Sequence, residues 1–383
     1  MQTTTEEKAY PFYIKAPVIL IGLFLFFYVL QILADVLIPL SFAGLIATLL
    51  NPLFSRLSRR MPRVVAILVA LLIATAVVAG LFYFLSSQIA TFSKSLPAIK
   101  EKTAGLLSQS QAWLQNRFGV SAEKQVAGLK AQITGGGGMS ILTNTLGTVL
   151  GLVSVLVLLP IYIFLLLFYK PLILDFLFQV FSEKYSLRVA EILGQTKSAI
   201  QSFMIGLLIE TTIVCTLNSI ALLVIGVPNA IVIGVIGGLL NVLPYIGGII
   251  AILLPVLMSL ITTGSLSPII AIVGSYAVIQ FVDNNFLVPR IVSSKVQINA
   301  LMSIVIVLLG NLLWGIPGMF LSIPFLAVLK IIFDRVEGMK PWGRLLGDEV
   351  PTEHMGVVWQ KRWNRIVRRK EISKKQEEMS SQQ

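Results

Sequence analysis

Hydrophobic positions along this chain come in long runs separated by short polar interruptions, the pattern of helices that cross a bilayer. Residues 17–34 and 36–50 are two apolar runs divided by Asp35, and they predict a helical hairpin with Asp35 at its tip and Pro39 in the first turn of the second helix. Residues 64–85 predict one crossing whose Ala and Gly residues allow close helix packing. Residues 141–168 predict another, kinked at Pro160, while 185–200 read as an amphipathic surface helix leading into a span over 203–225. A span over 267–288 then lies between two runs, 229–262 and 298–333, that are each longer than the roughly 20 residues one crossing needs.

Those two runs are interrupted where a plain transmembrane helix would continue. The first is cut by Asn241-Val-Leu-Pro-Tyr-Ile-Gly-Gly248 and the second by Asn311-Leu-Leu-Trp-Gly-Ile-Pro-Gly318. Laid over one another, they pair Asn241 with Asn311, Ile246 with Ile316 and Gly248 with Gly318. Pro and Gly at such depth free backbone groups that only protein or water can satisfy, so both runs are candidate re-entrant hairpins or broken helices. Paired interruptions of this kind point to a transporter's binding site. If 267–288 crosses once, the hairpins enter from opposite faces and their tips, Pro244, Gly247 and Gly248 in one and Gly315, Pro317 and Gly318 in the other, meet at depth.

The predicted fold is all-α: a polytopic integral membrane protein with about 6 full spans and two re-entrant or broken hairpin segments, about 8 hydrophobic segments in all, plus an amphipathic helical extramembrane insertion. Its divisions are a cytoplasmic N-terminal tail (1–16), N-terminal spans (17–85), the extramembrane helical module (86–140), a transport core (141–333) and a basic C-terminal tail (334–383). Arg56, Arg59, Arg60 and Arg63 place their loop in the cytoplasm by the positive-inside rule, which puts both termini there and the helical module on the other side. The glycine run 135–138 lacks a following Lys-Ser/Thr and reads as a linker, not a phosphate loop. In the tail, Lys361, Arg362, Arg365, Arg368, Arg369 and Lys370 interleave with Trp359, Trp363 and Ile366, a basic amphipathic helix for anionic lipid.

Composition narrows the function. With 56% hydrophobic and 13% charged residues over 383 positions, the chain lies far from soluble domains, where about 25% charged is usual. Its net charge of +12 sits mostly in loops and tail, which suits an anionic lipid surface and not nucleic acid. The single cysteine, Cys215, forms no intrachain disulfide, and the single histidine, His354, leaves no metal-ligand cluster, so neither a metal nor a cofactor is expected. No nucleophile–base pair or nucleotide-binding motif is visible; the chain is not read as an enzyme, and transport would draw on an existing gradient.

Between Gln201 and Pro289 the ionisable side chains include two carboxylates, Glu210 and Asp283, and no Lys or Arg. Intramembrane carboxylates are costly and mark pathways. Gln280, Asp283 and Asn284 share one helical face at i, i+3 and i+4, which makes Asp283 the stronger candidate, with capping near the cytoplasmic end as its alternative role. Asn241 and Asn311 either satisfy broken backbone or touch solute.

The residues that carry a family likeness are Asn241 to Gly248 followed by Pro255, then Gln280-Phe-Val-Asp-Asn-Asn-Phe-Leu-Val-Pro289, then Gly315-Ile-Pro-Gly-Met-Phe-Leu-Ser-Ile-Pro324 running into Leu329-Lys330, with a weaker match at Pro39 and Asn51-Pro52. From about residue 19 to 336 the chain resembles the autoinducer-2 exporter family of bacterial and archaeal membrane proteins. The resemblance implies export of small solutes, signal molecules in some members and sodium/proton exchange in others. Members often carry His-Pro where this chain has Asn299-Ala300, so no role of that histidine is carried over.

The function expected is therefore a secondary transporter exporting a small polar solute, an autoinducer-2-like signal molecule among the options, across the cytoplasmic membrane. A sodium/proton antiporter using Asp283 or Glu210 is the alternative, and a membrane scaffold without transport is the alternative of another class. Expected partners are the solute, Na+ or H+, anionic lipid at the tail and further copies of the chain as a homo-oligomer.

Overall fold

A computed structural model describes residues 12–84, 86–87, 157–181, 185–244, 247–263, 265–292, 297–349, 360 and 363. The helical module expected over 86–140 (beyond residues 86–87), the first half of the 141–168 run and the basic tail helix (apart from Gln360 and Trp363) lie outside the described residues. All regular structure among the described residues is helical. In chain order the helices are α1 (Phe12–Ile32), α2 (Ala34–Leu57), α3 (Arg63–Phe84), α4 (Val157–Phe168), α5 (Lys170–Val180), α6 (Ser186–Ile225), α7 (Ala230–Asn241), α8 (Gly247–Thr263), α9 (Leu266–Val282), α10 (Ala300–Arg335) and α11 (Lys340–Leu346). Among the described residues, five helices are long and apolar enough to cross a membrane (α2, α3, α6, α9 with its extension, and α10), and α4 and α5 form a pair bent by 61°. Large apolar side chains such as Phe24, Val77 and Leu312 point outward, as lipid contact requires. The chain is a multi-pass membrane protein.

The N-terminal hairpin expected around Asp35 is not there. Only Leu33 separates α1 from α2, and helical hydrogen bonds run across it, from Leu33 N to Val29 O (3.0 Å) and from Leu37 N to Leu33 O (2.9 Å). A reversal between helices needs a loop of roughly 2–8 residues, and no Gly, Pro or Asn near Leu33 supplies one. Asp35 instead lies exposed in the first turn of α2, within the continuous helical run. The bend between α4 and α5 is pinned by two cations at its elbow. Arg63 donates to the Leu167 carbonyl (2.9 Å) and lies over the Phe168 ring, and Lys170 donates to Oδ1 of the buried Asn51 (2.9 Å).

Both interrupted runs double back on themselves. In the first, the chain turns after Asn241, and the close approaches are between Gly247 and the Leu240 carbonyl and between Gly237 and Ala251, the pairing of two antiparallel arms. In the second, α10 reverses at Trp314 and Gly315, whose φ of 62° and −134° for its neighbour break the helix; Gly315 lies in the left-handed region that glycine adopts without strain. Gly310 then faces Gly318 backbone to backbone, and Ser322 Oγ donates to the Ile306 carbonyl (3.0 Å). The break is thus at Trp314-Gly315, inside the expected 311–318.

The expected surface helix 185–200 and the span after it are one helix, the 40-residue α6. The expected span 267–288 ends differently too: α9 gives way at Asp283 to a 10-residue π-helical stretch, Asp283–Val292. Pro289 has no N–H to donate back, and Asn285 caps the Phe281 carbonyl with its side chain (2.8 Å), both of which loosen the α ladder there.

Asn299 ties the chain that follows α10 back to its start. Its backbone N–H donates to Leu346 O (3.1 Å), its Nδ2 to Leu345 O (2.6 Å) and Gly347 O (3.1 Å), and its Oδ1 caps Met302 N (2.8 Å). Alongside, Gly343 packs on Asp334, which pairs with Lys330 (2.6 Å). Asn299→Ala is expected to release α11, since two of these side-chain bonds reach its end and each contributes about 1 kcal/mol. Limited trypsin digestion checks it: cleavage after Arg344 should accelerate well above the parent rate, and an unchanged rate would show that α11 is held without Asn299.

Candidate functional site

The site is built where α6, α7 and the end of α9 converge. Helix α7 presents small residues to α6: Gly234 lies against Ser219 and Gly238 against Cys215, so the backbones approach closely. That approach carries Asn241, the last residue of α7, between two carboxylates. Its Nδ2 donates to Glu210 Oε1 on α6 (3.0 Å) and to Asp283 Oδ2 at the start of the π-helical stretch (3.0 Å). Gln280 Nε2 reaches Asp283 Oδ2 (3.5 Å) and Asn284 Oδ1 (3.4 Å), and Thr211 Oγ1 lies 3.4 Å from Glu210 Oε2. Glu210 is 3% exposed and Asp283 2%. Asp283 Oδ1 is buried with no hydrogen-bond partner.

Two carboxylates converge on one neutral amide, with no Lys or Arg between residues 202 and 289, and among the described residues neither is ion-paired with a cation. The nearby Arg290 lies instead over the Phe286 ring, 5.7 Å from its centroid. Such an arrangement accepts a cation, a proton or the donor groups of a polar solute.

The cluster forms part of the wall of a cavity of about 1070 Å³. Around it, Pro244 and Gly248 come from the first hairpin, Tyr276 and Gln280 from α9, Phe203 and Leu207 from α6, and Ser303, Phe320, Ile323 and Ala327 from α10. Gln297 and Asp348 also line it, so the segment that Asn299 holds in place borders the same space.

The structure therefore brings Glu210, Asn241, Gln280, Asp283 and Asn284 together, with Pro244 and Gly248 beside them and Gly247 at the turn. It leaves Asn311, Gly315, Pro317 and Gly318 elsewhere. Asn311 is exposed, and the second tip docks on the N-terminal helices through Trp314 Nε1 donating to Leu30 O (3.0 Å) and through Phe42 stacked on Phe320. The expected meeting of tips gives way to a meeting of one tip with the returning arm of the other hairpin, because the Trp314 indole takes a backbone acceptor on α1. Tyr276, Phe203, Phe320 and Asp348 were missed by the sequence reading. Tyr276 could have been found, since it shares the Gln280–Asp283 face one turn earlier.

A polytopic helical membrane protein with a doubled-back hairpin and a carboxylate-lined cavity belongs among membrane transporters. The family model described as AI-2E family transporter matches residues 18–338, and the chain belongs to that family. It is similar to the AI-2 transport protein TqsA of Escherichia coli strain K12, with 26% identity over 82% of this chain and 90% of that one. It is 29% identical to "Putative transport protein YrrI" of Bacillus subtilis strain 168 over 38% of this chain and 40% of that one, so that match spans well under two thirds of YrrI. To "Putative transport protein YueF" of the same strain it is 24% identical over 68% of this chain and 69% of YueF.

Proposed function

We propose that this chain is a secondary transporter that exports a small polar solute across the cytoplasmic membrane, with the Glu210–Asn241–Asp283 cluster as the solute site. The observation that carries the reading is the pair of buried carboxylates, held by one amide, that line a large cavity. An AI-2-like signal molecule is the first solute to try, since TqsA is named for AI-2 transport. A sodium/proton antiporter is the second reading, favoured by the same two carboxylates converging on one point, a geometry suited to a single monovalent cation. We place the arginine loop 56–63 and the C-terminal tail on the cytoplasmic side, with anionic lipid at the tail and a homo-oligomeric assembly. The missing reversal at Leu33 takes one crossing out of the count that put the N-terminus on that side as well.

Flux in proteoliposomes tests the assignment, with candidate solutes and with sodium and proton gradients imposed separately. Solute efflux that responds to a gradient supports export; sodium-driven proton movement without any solute moves the assignment to the antiporter. Asp283→Asn is expected to reduce flux about 10-fold or more, the scale of one charge-assisted hydrogen bond, and to do so more strongly than Glu210→Gln, because Asp283 alone has an unpartnered oxygen in the cluster. Equal flux in Asp283→Asn and the parent would remove Asp283 from the path.

A further inference from the structure

The carboxylate cluster is one rung of a ladder across α6, α7 and α9. One turn back along α7 from Asn241 lies Gly237, two turns on from Glu210 along α6 lies Asn218, and two turns back from Asp283 along α9 lies Tyr276. These three residues meet: a side-chain carbon on Gly237 would lie 3.3 Å from the Tyr276 hydroxyl and 3.5 Å from Asn218 Nδ2. In the first rung α7 supplies an amide that bonds to both neighbours. In the second it supplies a glycine, whose missing side chain would meet the tyrosine, the asparagine and the Ala251 methyl, 3.5 Å away.

The second rung consequently holds polar atoms that nothing among the described residues satisfies. Asn218 is 2% exposed and Tyr276 7%, and both Asn218 Oδ1 and the Tyr276 hydroxyl are buried without a hydrogen-bond partner. Buried polar groups in proteins almost always have a partner, ordered water included, and a site with several convergent polar groups is where water binds. Tyr276 is also part of the cavity wall, whereas Asn218 is not. Tyr276 packs in the same buried cluster as the apolar Leu222, Ile233 and Ile272.

We propose that Asn218, Gly237 and Tyr276 form a second, uncharged polar site that binds water and extends the solute path beyond the cavity, toward the Gly226 end of α6. Being neutral, the site accepts a hydroxyl-sized group that both donates and accepts: water in the resting protein. Gly237 is the residue that sets the width of the passage. This inference rests on the cluster being the solute site, and its test reads out water instead of flux so that the two can fail separately.

Hydroxyl-radical footprinting of the purified protein, with oxidation read residue by residue by mass spectrometry, reports water next to a side chain. Phe54, 8% exposed in an apolar cluster, is the dry control. Tyr276 should oxidise clearly faster than Phe54, since a water held at its hydroxyl is where the radical forms. In Gly237→Ala, whose added carbon contacts the Tyr276 hydroxyl, Tyr276 oxidation should fall toward the Phe54 level while the exposed Tyr169 keeps its rate. Where Gly237→Ala fails to yield folded protein, Tyr276→Phe serves: the label at position 276 should fall, since the remaining ring no longer holds water. Oxidation of Tyr276 no faster than Phe54 in the parent protein would overturn the proposal even if solute flux is robust. Strong Tyr276 oxidation in a protein without flux would keep the water site but overturn its place on a solute path, together with the transport reading.

Discussion

Asn241→Leu is expected to abolish transport and to lower the melting temperature of the detergent-purified protein. The substitution keeps the number and branching of the side-chain heavy atoms and removes the one donor that both Glu210 and Asp283 accept from, each at 3.0 Å. Two buried carboxylates then face each other with nothing between them. The cost of each lost partner is about 1–3 kcal/mol and larger for a charged group, enough to consume much of the stability of an ordinary domain. Thermal unfolding followed by intrinsic fluorescence and flux in proteoliposomes measure the two halves of this expectation. Parental flux in the leucine variant would mean that the cluster is structural, and that the solute passes elsewhere.

Gly318→Val is expected to prevent the second hairpin from closing, and so to remove folded protein altogether. A side-chain carbon at Gly318 would collide with the Gly310 carbonyl and come within 3.1 Å of Trp314 Cβ, and a backbone carbonyl cannot turn away. Overpacking of this kind costs about 1–3 kcal/mol where neighbours can shift, and more where they cannot. Gly248→Ala makes the contrast. There the added carbon meets Gln280 Oε1 at 2.8 Å, the end of a side chain free to rotate, so the variant should fold and alter flux only. Size-exclusion profiles of the two variants, run beside the parent, distinguish the cases; a monodisperse Gly318→Val peak would show that the arms have room to separate.

The sequence treated those two glycines as equivalent because they occupy matching places in two similar breaks. The difference lies in what each faces: Gly318 faces its own hairpin's other arm, while Gly248 faces α9. Partners far along the chain are invisible to local pattern, which is also why the docking of Trp314 on Leu30 was missed. What was legible followed from periodicity and cost. Asp283, Gln280 and Asn284 share a helical face by spacing alone, and the absence of cations between 202 and 289 made both acidic residues conspicuous. Asn241 was legible as a polar residue at a break, but its bridging role depends on Gly234 and Gly238 letting α7 sink against α6. The failure at Asp35 has a plain cause as well: one charged residue between apolar runs resembles a loop, although an exposed helical position tolerates an acid equally well.

Helix α6 is 40 residues long, about 60 Å, roughly twice the hydrocarbon thickness of a bilayer. Glu210 sits within it and the Ser186 end stands about 36 Å away, so the helix acts as the pointer of a gauge whose pivot is the site. A tilt of about 10° at Glu210 would displace that end by about 6 Å. The pointer is tethered: Arg188 pairs with Glu337 (3.3 Å) and Glu191 with Arg335 (3.6 Å), both just past the second hairpin. Motion too small to see in the cavity is thereby magnified at a soluble-facing pair of ion contacts, where a distance probe on Ser186 and Glu337 can read it without touching the membrane-buried part of the protein.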